Sequence, residues 1–315
     1  MKAVAALAVG TMALVMPLGA QQQGVFRAGV EGVRIDVIVT DDDGPVQGLT
    51  SPHFEVYDAG VRQAIESIET PGTMALALVL DRSASVRFGT RVLRAFEPDT
   101  PSVPPGWPTL VDYAGRMLSL LGPDDEAGLL TFGGRIVLHA RATRDHDGIR
   151  GQIEALANTV QGTEPFSPVA EAVMTGASLV ANRPGRPVVA LLSDGIDTAS
   201  WLTTPKAARG LQRAGITVDM VSVPRTGGHS EGFAGGTYPP ELIAEATGGR
   251  QFEASAPDLA EQLATRFAEL RSSYVITYTP KGVEDVEGFH EVEIRLVGVD
   301  GRVQARPGYF TGSGR

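Results

Sequence analysis

The chain has 315 residues, 43% hydrophobic and 20% charged, which is enough apolar material for one large or two modest folded domains and too much for a disordered chain. Its formal net charge of −10 argues against binding nucleic acid or anionic membrane surfaces, both of which call for basic patches. It contains no cysteine, which excludes disulfide frameworks, thiolate zinc sites and cysteine nucleophiles.

Met1-Lys2, the uncharged run Ala3–Leu18, and Leu18-Gly19-Ala20 ahead of polar Gln21-Gln22-Gln23 read as a secretory signal peptide over residues 1–20, cut after Ala20. The apolar run is about 16 residues, short of the ~20 that span a bilayer. Cleavage is therefore favoured over a retained anchor, and a secreted or periplasmic product with no stable membrane span is expected. Val33–Thr40 begins with the apolar–polar alternation of a half-buried strand. Asp41-Asp42-Asp43-Gly44 reads as a β-turn, because the spaced ligands and closing Glu of a calcium loop are missing. Phe54–Tyr57, closed by Asp58-Ala59-Gly60, and Val61–Glu69 read as two further strands.

After Thr73 strands alternate with helices. Met74–Leu80 starts this stretch as a continuous apolar run, the mark of a strand covered on both faces of a parallel sheet. It ends in Asp81, Ser83 and Ser85, three oxygen side chains just beyond the C-terminal end of a central strand, where open α/β sheets bind ligands. Oxygen-only donors suit a hard cation, Mg²⁺ first, with Mn²⁺ or Ca²⁺ as alternatives. Arg87–Pro108, with Pro98, Pro101, Pro104, Pro105 and Pro108, reads as a surface insertion. Helices are expected over 111–121, 147–157, 205–214, 241–247 and 258–270, strands over 127–132, 188–192, 216–223 and 251–253, a hairpin edge over 135–140, and a mobile loop over 225–240. Two further loops offer oxygens: Gln161–Pro165, with Thr163, leads into a helix over Val169–Ala181, and Val188–Gly195 ends a second buried run at Asp194. Each residue taken singly is as well an N-cap or a turn former. Together, at strand ends and a helix start, they point to one cation site. The alternation predicts a doubly wound, mostly parallel, Rossmann-like sheet.

From Tyr274 the period returns to two, over 274–279, 291–296 and 303–310. Neither end of the chain has enough strands to cover an apolar face alone. The expectation is one β-sandwich built discontinuously from 24–72 and 273–312, with the α/β domain of 73–272 inserted, in preference to two unrelated small sheets.

Asp81-x-Ser83-x-Ser85, Thr163 and Asp194 resemble the metal-ion-dependent adhesion site of the von Willebrand factor A (VWA) domain. The chain after residue 20 resembles the bacterial VWFA-related family first catalogued in acidobacteria. That likeness is carried by Val33–Thr40 with its acidic turn, Gly48-Leu49-Thr50, Phe54-Glu55-Val56 with Asp58-Ala59-Gly60, Tyr274–Pro280 and Arg306-Pro307-Gly308-Tyr309-Phe310. The proline-rich stretch 87–108 departs from the family pattern. The resemblance implies that Ser83 and Ser85 bind the metal through their hydroxyls, that Thr163 joins them in the ligand-bound form, and that Asp81 and Asp194 act mainly through waters. It also implies an open coordination position for a Glu or Asp carboxylate of a partner protein.

Hydrolysis would need a nucleophile and a base. None of His53, His139, His146, His229 and His290 forms HExxH, and neither Gly-x-Ser-x-Gly nor a P-loop occurs. An aspartyl-phosphate phosphatase would want an acid two residues after Asp81, where Ser83 stands. The expected function is a metal-dependent protein-binding or adhesion module without catalysis. The alternatives are a metal-dependent hydrolase and an envelope scaffold that binds through its sandwich.

Overall fold

The computed structural model describes residues 32–88, 106–158, 166–224, 241–284 and 288–311. The signal-peptide segment, Thr163, most of the 87–108 stretch and the 225–240 loop therefore lie outside the described residues. The strands are β1 (Val33–Thr40), β2 (Phe54–Asp58), β3 (Val61–Gln63), β4 (Ser67–Glu69), β5 (Met74–Asp81), β6 (Glu126–Phe132), β7 (Ile136–Thr143), β8 (Arg186–Ser193), β9 (Thr217–Ser222), β10 (Gln251–Glu253), β11 (Tyr274–Tyr278), β12 (Gly288–Leu296), β13 (Arg302–Ala305) and β14 (Gly308–Thr311). The helices are α1 (Ala84–Phe88), α2 (Trp107–Ser119), α3 (His146–Ala157), α4 (Val169–Val180), α5 (Thr204–Arg213), α6 (Glu241–Ala246) and α7 (Leu259–Ser272).

The central sheet has the order β10-β9-β8-β5-β6-β7, parallel except for the edge strand β7, and is Rossmann-like as the alternation predicts. β5 shows why its sequence is apolar throughout. Met74, Leu76, Leu78 and Leu80 join the core under α2, α3 and α7, while Ala75, Ala77 and Val79 join the core under α4 and α5. Strand residues alternate faces, so a strand with helices on both sides has no position for a polar residue until it ends. That end is Asp81. α4 lies tight on β5 at Gly176, where an added Cβ would come within 2.6 Å of Val79 Cγ2.

Both outer sheets draw strands from both ends of the chain. One has the order β13-β1-β11-β4 and the other β14-β12-β2-β3, with antiparallel pairings throughout. Ile35, Val37, Phe54, Val56, Tyr274, Ile276, Tyr278, Val292 and Tyr309 share one core between them, the β-sandwich expected from the strand-poor ends. Two expectations need correction. Val61–Glu69 is not one strand: Val61–Gln63 pairs with β2, whereas Ser67–Glu69 pairs with β11 in the other sheet. Val303–Phe310 likewise divides into β13 beside β1 and β14 beside β12. Pro307, with no N–H to give, sits at that second crossing. The described residues also narrow the proline-rich stretch, since Arg87 and Phe88 end α1 and Trp107 and Pro108 begin α2. The acidic turn is as read, with Asp41 Oδ1 accepting the N–H groups of Asp43 (2.9 Å) and Gly44 (3.0 Å).

Buried and half-buried arginines tie the α/β layers to the sandwich. Arg186 at the start of β8 pairs with Asp36 of β1 at 3.1 Å. Arg306, at the crossing between β13 and β14, donates to the carbonyls of Gln212 and Arg34. Arg250 donates to Gln304 and pairs with Glu269 at 2.8 Å. Behind them Arg266 of α7 grips Asp219 of β9 through two 3.0 Å bonds, both side chains buried. Arg266→Ala leaves the Asp219 carboxylate buried without its counter-ion, so a loss of roughly 3–5 kcal/mol is expected. A urea titration that gives an unfolding free energy lower by less than a quarter of that would show the pair to be unimportant.

Candidate metal centre

The site grows from the end of β5. The last apolar pair of β5 and β8 in register is Leu80 opposite Leu192, so the next residues, Asp81 and Ser193, face each other at the C-terminal end of the sheet. Ser193 Oγ donates to Asp81 Oδ2 at 2.6 Å, and Ser83 N–H donates to Asp81 Oδ1 at 2.8 Å. Both carboxylate oxygens are thus fixed before the chain turns into α1. The hydroxyls of Ser83 and Ser85 lie 3.1 Å apart, Ser83 buried and Ser85 half-buried. Asp194 is buried, and its Oδ1 accepts Ile196 N–H at 3.0 Å. Gly195 N–H donates to Ser193 Oγ at 2.9 Å, and Gly195 has φ 74°, a turn that suits glycine. Arg82 lies over the Trp107 ring, 5.5 Å from its centroid.

Burial pushes the Asp81 carboxyl up to about 7, and the neighbouring Asp194 charge pushes the same way against the hydrogen bonds from Ser193 and Ser83. The two acids thus stand close enough that the charge of Asp194 disfavours ionisation of Asp81. A divalent cation would supply the opposing charge. Among the described residues no group of three or more His, Cys, Asp or Glu side chains gathers to hold a metal. The donor set here is hydroxyls with two carboxylates, which suits a hard cation that keeps some of its waters. The residues fit such an ion.

Four of the five residues singled out in the sequence, Asp81, Ser83, Ser85 and Asp194, stand at this end of the sheet, and Thr163 is outside the described residues. Ser193 was missed. It reads as the last residue of an apolar run, and only the β5–β8 register shows that it faces Asp81.

The connection after Asp194 is latched onto the start of α4. Ser167 N–H donates to Thr198 Oγ1 (2.9 Å) and Thr198 N–H to Ser167 O (3.0 Å). Ala170 N–H donates to Ser200 Oγ (2.9 Å), and Asp197 Oδ1 accepts Ser200 N–H (3.0 Å). Glu171 Oε1 accepts the N–H groups of both Trp201 and Leu202 at 2.7 Å. Burial raises the Glu171 carboxyl, but the bonds from Ser200 and these backbone amides outweigh it and hold the group below its ordinary value. The latch is therefore complete above the ordinary glutamate range and loosens only as pH falls below it.

No family model matches the chain, and no curated protein matches it. Among solved structures it is similar to the conserved hypothetical protein BatB from Bacteroides thetaiotaomicron, at 14% identity over 63% of this chain and 98% of that chain, with a TM-score of 0.47. It is similar to the manganese-loaded TRAP protein of Plasmodium vivax, at 13% identity over 80% and 97% of the two chains, TM-score 0.44. It is also similar to proximal thread matrix protein 1 of the mussel byssus with a zinc-occupied MIDAS motif, at 14% identity over 68% and 49%, TM-score 0.43. The fold of this chain is of the VWA type, on its own sheet order and flanking helices.

Glu171→Ala removes the acceptor of two amides. At about 1.5 kcal/mol or more for each bond to a charged group, exchange of the Trp201 and Leu202 amides should accelerate by at least roughly tenfold. Unchanged protection of those two amides would show that the latch does not depend on Glu171.

Proposed function

We propose that this protein is a metal-dependent protein-binding or adhesion module. The observation that carries the reading is the convergence of Asp81, Ser83, Ser85 and Asp194 at the C-terminal end of β5 and β8, with Asp81 held by Ser193 and by the backbone of its own loop. Ser83 and Ser85 would hold the cation through their hydroxyls, with Thr163 joining them and Asp81 and Asp194 acting mainly through water. Mg²⁺ is the proposed ion, with Mn²⁺ or Ca²⁺ as alternatives. When bound, the ion supplies an open Lewis-acid position for a Glu or Asp carboxylate of a partner protein. With neutral hydroxyls and waters as the direct donors and the two carboxylates acting through water, the ion would have no anion in direct contact and could still take one carboxylate.

In this reading the protein is not an enzyme. It is secreted or periplasmic after loss of residues 1–20, and among the described residues no helix is long and apolar enough to cross a membrane. An A domain over 73–272 interrupts the sandwich domain of 24–72 and 273–312, and the likeness to the acidobacterial family belongs to the same proposal.

Calorimetry with Mn²⁺ tests the site. One ion should bind the parent protein. Asp81→Asn, which preserves shape, and the Ser83→Ala/Ser85→Ala double variant should each weaken it by at least roughly a hundredfold, and Ser193→Ala by about tenfold through loss of the outer bond. Equal Mn²⁺ affinity in the parent and in both ligand variants would end the proposal. Turnover of a phosphoester or peptide panel with Mg²⁺ would favour the hydrolase instead.

A further inference from the structure

Trp201 is 96% exposed and Phe166 58% exposed, the most exposed large hydrophobic side chains among the described residues. Exposure alone carries little, since single surface hydrophobes are ordinary. What marks this pair is how each is mounted. Phe166 immediately precedes Ser167, which exchanges two hydrogen bonds with Thr198, and Trp201 is held at its own N–H by Glu171. On the far side Leu202 turns inward against the core under α4 and α5. The backbone is fixed and the rings face water. A ring on such a mount gives up little freedom when a partner covers it, and tryptophan is over-represented among residues that dominate binding energy.

Topology places both residues at the same end of the sheet as the metal centre. α4 runs back into β8, so its start lies at the C-terminal end of the parallel strands, where Asp81 and Asp194 stand. Trp201 follows Asp194 on the same strand-to-helix connection. Charge then limits what covers it. The whole chain carries −10, and Asp197 and Glu171 lie in the latch that holds the backbone at Ser200 and Trp201. A tract of carboxylates would be repelled by both the overall field and these two groups. One carboxylate on the cation, with apolar surface beside it, meets less of that opposition than a tract of them.

We propose that Phe166 and Trp201 form the apolar half of the partner-binding face. The occupant is a protein loop carrying one Asp or Glu for the cation and, next to it, a large apolar side chain that packs on Trp201. This rests on the metal-dependent binding reading and specifies its partner.

The probe is a random dodecapeptide display library, selected on the Mg²⁺-loaded full chain and eluted with chelator. Tryptophan fluorescence then reads the complex directly: Trp107 is buried, so acrylamide reaches Trp201. The expected result is a pool of peptides with a single acidic residue flanked by a large apolar one. Such peptides should shield Trp201 from acrylamide and lose at least tenfold in affinity on Trp201→Ala, while Mn²⁺ affinity stays unchanged. Chelator-eluted peptides that are polyacidic, or that bind Trp201→Ala as tightly as the parent, overturn this inference and leave metal-dependent binding standing. An empty chelator eluate overturns both. Self-association of the parent that Trp201→Ala abolishes in sedimentation velocity overturns it in favour of a second copy as the occupant.

Discussion

Two carboxylates buried side by side are the constraint around which the molecule is arranged. Asp81 ends β5 and Asp194 directly follows β8, neighbouring strands with apolar centres, and each acid sits in a place where an unpaired charge is costly. Asp81 survives there because both of its oxygens accept hydrogen bonds, one from the backbone of its own loop and one from the neighbouring strand. Those bonds offset part of the cost, and the upward pressure on its proton affinity shows that they do not offset all of it. A core selected for stability alone would put apolar residues at both positions. Their retention at the ligand-binding end of a doubly wound sheet makes sense if a cation completes the balance.

The sandwich answers a different problem. Placing an α/β unit between two strand-poor ends obliges those ends to find each other, and β1 does so twice, pairing with β11 on one side and β13 on the other. The junction is polar as well as apolar. Arg186 and Arg250 reach from the central sheet to groups on sandwich strands, and Arg306 reaches from between two sandwich strands to the backbone of Gln212. Guanidinium groups suit this use because their rigid donor fork can satisfy several acceptors at once, and their charge is not lost on burial. α7 runs directly into β11 with only Ser273 between them, so the last helix of one layer and a central strand of the other share a short covalent link. The two parts are held by pairing, by charge and by chain continuity together.

Much of this was legible in the sequence because the signals were local and periodic. The uninterrupted apolar run of β5, its abrupt change to Asp81, and the return to two-residue alternation at Tyr274 are all one-dimensional consequences of which faces are covered. What escaped was set by partners distant in the chain. Nothing in Val61–Glu69 announces that its halves join different sheets; Gln63 ends the first half by bonding the backbone of Lys281, and Glu66 opens the second by donating to Thr277. Ser193 looked like the tail of a strand because its role depends on register with Asp81. Trp201 gave no sequence signal, since a tryptophan in a loop is more often half-buried than presented.

The chemistry of the face follows from the same accounting of charge. If this acidic protein binds an acidic group as proposed, it cannot rely on long-range attraction, because the field it projects opposes the approach. Recognition then has to be local: a cation of short reach, concentrated at one point, and apolar contact that ignores the field. On the proposed reading ion and aromatic pair would divide the work, the first selecting for a carboxylate and the second for what stands next to it. Screening by salt weakens the repulsion between the two proteins more than it weakens a coordinated, desolvated carboxylate or a covered indole. Association through such a face is therefore expected to gain from added salt, the reverse of what a basic surface would show with the same acidic partner.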